Sequence, residues 1–359
     1  MLRGIFRLLL RLAALVLLVA IGFTGVLAWR GHWFRDVQPA YAGSCEALEL
    51  GGSAEDIQLD RERGLAYLSL LDRKALVGGG NVQGTIVRVD LNAPELRAEA
   101  ALETQPEHFR PHGLSLYIDG AGRRWLYALN HPLKRGEEPE RVELFEELSP
   151  GRFRHVATFS DPERFVSPND LVAVGPRQFY VANDKPAGGL LSAALQQLGI
   201  GASPLVYVDN GRAQIVARDI ASGGGINVSP DGRRIYVSET AAQRIRVFER
   251  EPVTGDLTEL ERLPLGTSPD NIDVAPDGSL WIGAHANTLR LIQHFAAGKP
   301  APSQVLRLTL RGGSAQQQDI FLDDGRLFSA SSVGVSYGPM LLVGSITERK
   351  LLVCRGDTD

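Results

Sequence analysis

A strand–turn–strand unit recurs six times along the 359 residues, at a period of about 52 measured from Tyr67 to Phe328. Each copy opens on a short motif: Glu55-Asp56-Ile57, His112-Gly113-Leu114, Asn169-Asp170-Leu171, Gly224-Gly225-Ile226, Asp270-Asn271-Ile272 and Gln318-Asp319-Ile320. An apolar stretch, a turn and a second strand follow, from Leu65-Ala66-Tyr67-Leu68 in the first copy to Leu327-Phe328-Ser329-Ala330 in the last. Repeats of this size and content predict an all-β, six-bladed propeller with four strands per blade. The leading pair of each copy then begins the innermost strand of its blade, so the six pairs converge on the central channel. Five of the six carry a carboxylate, an amide or an imidazole, which makes that ring the expected place of chemistry.

The turns between strands have a mechanism. Ser229-Pro230-Asp231-Gly232 and Ala275-Pro276-Asp277-Gly278 combine a proline that presets φ with a glycine that accepts positive φ, and Asp323-Asp324-Gly325 serves the last copy. In Arg244-Ile245-Arg246-Val247 the alternation predicts Ile245 and Val247 facing in and both arginines facing out. Two segments break the rhythm. Gly189 to Ile200 places Leu190, Leu191, Ala194, Leu195 and Leu198 at helical spacing and ends on glycines. It predicts a short helix, either packed on the propeller or forming an apolar lid over the channel mouth. Gly136 to Glu143 is charge-rich and reads as a solvated loop.

The N-terminus has a different character. Arg3, Arg7 and Arg11 precede an uncharged run from Leu12 to Trp29, near the short limit for crossing a bilayer. The basic flank stays cytoplasmic and the rest is exported. Residues 1–29 therefore read as a signal anchor or transmembrane helix, 30–44 as a linker and 45–359 as the propeller domain. The alternative is a cleaved signal peptide, with Val26-Leu27-Ala28 as its small-residue site and a secreted product. With the segment retained, the propeller is membrane-anchored outside the cytoplasm, periplasmic or extracellular. Two cysteines, Cys45 and Cys354, flank the repeats. A ring brings its ends together and export permits oxidation, so a Cys45–Cys354 disulfide is expected. The alternative is two unpaired buried thiols. The net charge of −4 and the lack of a basic stripe argue against nucleic acid as a partner.

Hard oxygen donors from several loops, with few histidines and no paired-cysteine motif, suit Ca²⁺ better than Zn²⁺. Glu55, Asp56, Asn169, Asp170, Asp270 and Asn271 are such donors. Singly, each is a residue that caps a strand or makes an Asx turn. Recurrence at one position of successive repeats favours a shared site, where unpaired carboxylates repel each other without a cation.

Several stretches resemble the paraoxonase/arylesterase family: Pro111-His112-Gly113-Leu114-Ser115, Leu129-Asn130-His131-Pro132, the run from Pro168 to Gly175, the run from Gly225 to Gly232, and Asp270-Asn271-Ile272. Glu55-Asp56, the hydrophobic N-terminus and the terminal cysteines agree. The resemblance covers about Cys45 to Cys354, and its specificity lies in the ordered set. It implies a six-bladed propeller with two calcium ions in the channel and hydrolysis of lactones and aryl esters. Glu55, Asn169, Asp270 and Asn271 match ligands of the catalytic calcium. Asp56, Asp170 and the backbone carbonyl of Leu114 match the structural one. His112 and His131 match a dyad that activates water, and His285 matches a further pocket histidine. Where the family has an asparagine ligand this chain has Gly224, which leaves a position for water, a backbone carbonyl or Asn227.

The chemistry expected is that of a carboxylic ester hydrolase acting on a small-molecule lactone or ester. Calcium polarises the carbonyl and steadies the oxyanion. Neutral His112 takes the proton of the attacking water, oriented by His131. There is no Gly-x-Ser-x-Gly elbow to support a serine nucleophile. Competing readings are a sugar-lactone hydrolase of the gluconolactonase type and a non-enzymatic ligand-binding propeller.

Overall fold

Residues 2–186, 188–311 and 314–356 are described by a computed structural model of the chain. Six sheets succeed one another as the blades of a propeller. Their innermost strands are Ser53–Asp60, Pro111–Ile118, Pro168–Gly175, Gly223–Val228, Ser268–Val274 and Ser331–Tyr337. These six line up around one axis, each touching the innermost strands on either side. Five blades have four strands. The second has a fifth, Leu102–Thr104, which arrives from the first blade and pairs parallel to the outer strand Arg152–Phe159.

The second strands of the blades read as continuous apolar runs because both of their faces are covered. In Gln178–Asn183, Phe179 and Val181 pack toward the second blade, while Tyr180 and Ala182 pack toward the fourth. The same division gives six hydrophobic clusters, each shared by two adjacent blades, the last joining the sixth blade to the first. A core distributed this way leaves a sheet face uncovered until the ring closes. Closure is made by Ser44–Glu49, which forms the outer strand of the sixth blade against Lys350–Arg355. Cys45 and Cys354 are register partners in that pair and form a disulfide. With a sequence separation of 309 between the cysteines, the chain-entropy argument assigns it about 5–6 kcal/mol.

The sixth copy of the repeat lies elsewhere than expected. Gln318-Asp319-Ile320 belongs to Ser314–Asp323, the exposed outer strand of the fifth blade. Leu327-Phe328-Ser329-Ala330 is loop, and Asp323 Oδ1 caps it by accepting from the amides of Gly325, Leu327 and Phe328. The innermost strand follows at Ser331. Its pair is a run of small serines, which lacks the acid and amide signature of the other blades. Arg246 is also placed differently. It points away from the Ile245 and Val247 face, yet is buried among Glu239, Asp219 and Glu259 with its guanidinium over the Phe248 ring.

Every innermost strand carries a β-bulge at its start. The ladder slips between Ala54 and Ile57, Pro111 and Leu114, Pro168 and Asp170, Gly223 and Ile226, Pro269 and Ile272, and Ser331 and Val333. A bulge releases residues from the ladder and re-aims their side chains. The released residues are Glu55-Asp56, His112-Gly113, Asn169, Gly224-Gly225, Asp270-Asn271 and Ser332, so the first residue of each pair in the first five blades leaves the ladder.

Among the described residues, four helices accompany the sheets. α1 (Leu2–Arg30) stands away from the propeller, apolar and 28 residues long from Arg3 to Arg30, with 6% of its most apolar window buried. α2 (Arg73–Val77), α3 (Leu190–Gln197) and α4 (Thr288–Ala297) each follow the second strand of a blade. Antiparallel pairing puts the end of a second strand beside the start of the first, so all three crown the mouth where the bulges lie. α3 answers the helix expected within Gly189 to Ile200, with Gly199 at φ 80° ending it. Its buried Gln196 bonds Asp184 and Ser203, while Leu190 and Leu191 are 93% and 73% exposed. α4 had a legible signature, an Asn287 N-cap and a left-handed Gly298 after Leu291, Ile292 and Phe295. The C-terminal end of α1 docks at this mouth. Arg30 donates to Ala241 O and accepts from Gln243, and Thr288 N donates to Gly31 O.

Candidate active site at the channel mouth

The second residue of each pair explains how the ring packs. Asp56 of the first blade reaches across to the second, where Leu114 N donates to its Oδ2 at 2.7 Å. Asp170 of the third blade reaches to the fourth, accepting from Ile226 N at 2.8 Å. Each also accepts from the amide that follows it, Ile57 N or Leu171 N. The second and fourth blades have glycine at this position. A Cβ on Gly113 would lie 2.3 Å from Asp170 Oδ1, and one on Gly225 would lie 2.5 Å from Asp270 O. The glycine of the second blade thus leaves room for the Asp170 carboxylate, and that of the fourth for the backbone of Asp270 and Asn271.

The first residue of each pair faces the channel. Glu55 is 1% exposed; its Oε1 accepts from Asn271 Nδ2 at 2.9 Å, and its Oε2 has no partner among the described residues. Asn169 Oδ1 and Asn271 Oδ1 are likewise buried and unpartnered. Asp270 is buried, with His285 Nε2 3.1 Å from its Oδ2. The sixth blade gives Ser332, whose hydroxyl donates to Glu55 O at 2.6 Å. His112 lies with Nδ1 3.7 Å from Glu55 Oε2, and its ring centroid is 4.7 Å from that of His131. The structure therefore brings Glu55, Asp56, His112, Leu114, Asn169, Asp170, Asp270, Asn271 and His285 to one end of the channel. Asn227 stands apart in role: it donates to Ile272 O, tying the fourth blade to the fifth, while its oxygen accepts from Val228 N of its own strand. Gly224 lies against Asp270, and a Cβ there would meet the Thr240 hydroxyl at 2.7 Å. That hydroxyl donates to Pro269 O, so Thr240 braces the strand beside the gap.

Charge is unevenly balanced here. Burial first, then Asp270, pushes the Glu55 carboxyl up to about 8. Burial pushes Asp56 up to about 7 against its two backbone donors. Asp170 is raised well above the usual carboxylate range by burial and then by Asp56. His112 is held well below its ordinary value by burial and then by His131, and His131 by burial and then by Arg135. Among the described residues, no three His, Cys, Asp or Glu side chains form a metal-holding group by themselves. The donor set that does converge is mixed. Two carboxylates and two amide oxygens, three of these oxygens unpartnered, suit a hard cation with oxygen ligands.

Three residues of this end escaped the sequence reading. Arg73, on α2, is buried and donates to Ser53 O, Ser53 Oγ and Pro111 O, binding the first two innermost strands together. Glu140 lies in the charged segment expected to be a solvated loop, yet it is 4% exposed with Oε2 2.6 Å from His131 Nδ1. Arg135 donates to Glu140 Oε1 at 2.9 Å and to Ser167 Oγ and Pro168 O. A buried imidazole and a partly exposed guanidinium retain the acid, which charge counting along the chain does not reveal.

Known proteins share this arrangement to different depths. The solved luciferin-regenerating enzyme aligns over 89% of this chain and 96% of its own, with TM-score 0.53 and 12% identity. A putative gluconolactonase aligns over 90% and 95%, with TM-score 0.52 and 15% identity. At such identities the likeness is one of fold. Sequence relatives are nearer. Serum paraoxonase/arylesterase 2 of Rattus norvegicus is 31% identical over 357 residues, covering 93% of this chain and 98% of that protein. Serum paraoxonase/lactonase 3 of Homo sapiens is 31% identical over 356 residues, covering 95% and 98%. The Arylesterase family matches residues 62–355, from the second strand of the first blade to the end of the sixth. With a family match over most of the propeller and relatives aligned almost end to end, this chain belongs to the arylesterase family.

Proposed function

We propose that this carboxylic ester hydrolase opens lactones and aryl esters with a calcium ion as electrophile and His112 as base. The observation that carries the reading is the set of buried oxygens without partners, Glu55 Oε2, Asn169 Oδ1 and Asn271 Oδ1, gathered with Asp270 beside His112. Those four residues would hold the catalytic ion. Asp56, Asp170 and the Leu114 carbonyl would hold a second, structural ion. Bound at the first site, calcium supplies Lewis acidity toward the ester carbonyl and charge that offsets the oxyanion. Burial keeps His112 neutral and so able to accept a proton. Glu55 Oε2 faces the ring on which that proton would rest. Gly224 leaves the first site short of one side-chain oxygen; Asn227 is engaged elsewhere, so water or a backbone carbonyl is the better substitute.

Location supports an exported, membrane-held enzyme. A disulfide persists in an oxidising compartment, and α1 is long and apolar enough to cross a bilayer. Because α1 ends at the channel mouth, which α3 also crowns with exposed Leu190 and Leu191, the mouth would face the lipid. A cleft of about 130 Å³ there, lined by Leu27, Trp33, Ile292 and Ser268, would admit apolar substrates two residues from Asp270.

Two variants test the division of labour. Asp170→Ala removes the acceptor of two buried amides, each costing about 1–3 kcal/mol when left unpaired. It should lower the melting temperature chiefly. Asp270→Ala should lower turnover chiefly. Variants matching wild type in both measurements would refute the two-ion reading.

A further inference from the structure

Four features of the molecule are not used by the proposed chemistry. The Arg110 pocket beside His131, about 230 Å³, has its guanidinium already bonded to Asn81 and His108. Glu143, His155 and Thr158 form a paired network within the second blade. His294 bonds Lys299 O and Thr347. The fourth is the Arg135–Glu140–His131 chain, which ends on the proposed catalytic dyad and has one nitrogen left over: His131 Nε2, buried and without a partner among the described residues.

We propose that Glu140 is a positioning residue for hydrolysis, holding His131 in the tautomer with hydrogen on Nδ1 and a lone pair on Nε2. The proposal rests on the dyad reading above. Its geometry is direct. Glu140 Oε2 stands 2.6 Å from Nδ1, and an ionised carboxylate only accepts, so the proton between them belongs to the ring. Arg135 donates to the other oxygen, fixing the carboxylate plane, and its second arm grips Ser167 and Pro168 just ahead of Asn169. The side chain is nine-tenths buried or more, which excludes water as an easy substitute. The partner of a ring nitrogen determines the tautomer, and a wrong tautomer is costly in dyads and triads alike. His131 then presents a proton-accepting edge within a ring pair 4.7 Å apart, which steadies His112 in the orientation needed to meet water.

The substitution Glu140→Gln makes a sharp test because Arg135 dictates how glutamine sits. The guanidinium donor at that corner requires an amide oxygen, leaving the amide NH₂ toward His131. It must donate to Nδ1, which moves the ring hydrogen to Nε2. We compare wild type, Glu140→Gln and Glu140→Asp as full-length, calcium-replete protein. The measurements are kcat and KM for a lactone, calcium affinity, and histidine tautomers from ¹⁵N-labelled imidazole shifts. Expected are an Nδ1–H signal for His131 in wild type and its change to Nε2–H in Glu140→Gln. With it should come a kcat loss of about 10²- to 10⁴-fold at unchanged KM and calcium affinity. Glu140→Asp should regain part of the rate with the wild-type tautomer. A Glu140→Gln protein with wild-type kcat, or one whose rate falls with the tautomer unchanged or with calcium affinity lost, overturns the proposal. Absent lactone turnover in wild type would instead count against the hydrolytic reading, while the tautomer spectra still decide Glu140.

Discussion

At Glu55 one carboxylate oxygen is paired with Asn271 and the other is not, and the same division recurs at Asn271 and His285. Buried polar atoms are nearly always satisfied, so a cluster of unsatisfied ones at a channel mouth marks where a ligand belongs. His112 touches this cluster without belonging to it. Its replacement by glutamine should cost roughly 10²–10⁴ in lactone turnover, the usual range for loss of a general base. Calcium affinity should hold, and activated aryl esters should lose less than lactones with poor leaving groups. Near-full lactonase rate in that variant would move the base to a carboxylate such as Glu55 or Asp270. The proposed ligand residues were legible in the sequence because acids and amides recur at one repeat position. Glu140 and Arg73 were not, because their meaning lies in what they touch: His131 is nine residues from Glu140 in a charged run, and Ser53 and Pro111 flank Arg73 from two blades.

The elements that place these residues are the innermost strands, and their bulges convert a repeat into a site. Four strands brought acids, amides or imidazole where the pattern put them, and the fourth blade brought glycines. The sixth did not: Ser331-Ser332 carries no signature, and the polar–apolar order of the outer strand Ser314–Asp323 imitates one. α3 was legible from its leucines; α4 was missed although its cap and C-terminal glycine were in plain sequence. For α1 the account makes a test. Deleting residues 1–28 spares Arg30 and its contacts with Ala241 and Gln243. The product should leave the membrane fraction, bind calcium as before and hydrolyse soluble aryl esters at the full-length rate, with weaker activity on long-chain lactones held in vesicles. Recovery of the full-length protein in the soluble fraction, with an N-terminus near Trp29, would show cleavage in place of anchoring.

As a whole the molecule is a ring whose ends are joined by one strand pair and one disulfide, and whose axis is lined with carboxylates that burial drives toward protonation. A cation bound at its centre would offset that burial and keep those carboxylates ionised. A ligand bound only by the folded ring stabilises it by about 2.7 kcal/mol per site at a hundredfold excess over Kd. Magnesium, smaller and strictly octahedral, should replace calcium poorly among donors from four blades. The most direct measurement is therefore lactone turnover by the full-length protein before chelation, after it, and after calcium or magnesium is returned, with bound metal quantified in the same samples. The account predicts turnover that disappears with the metal and returns with calcium alone. Undiminished turnover in protein freed of calcium would contradict it.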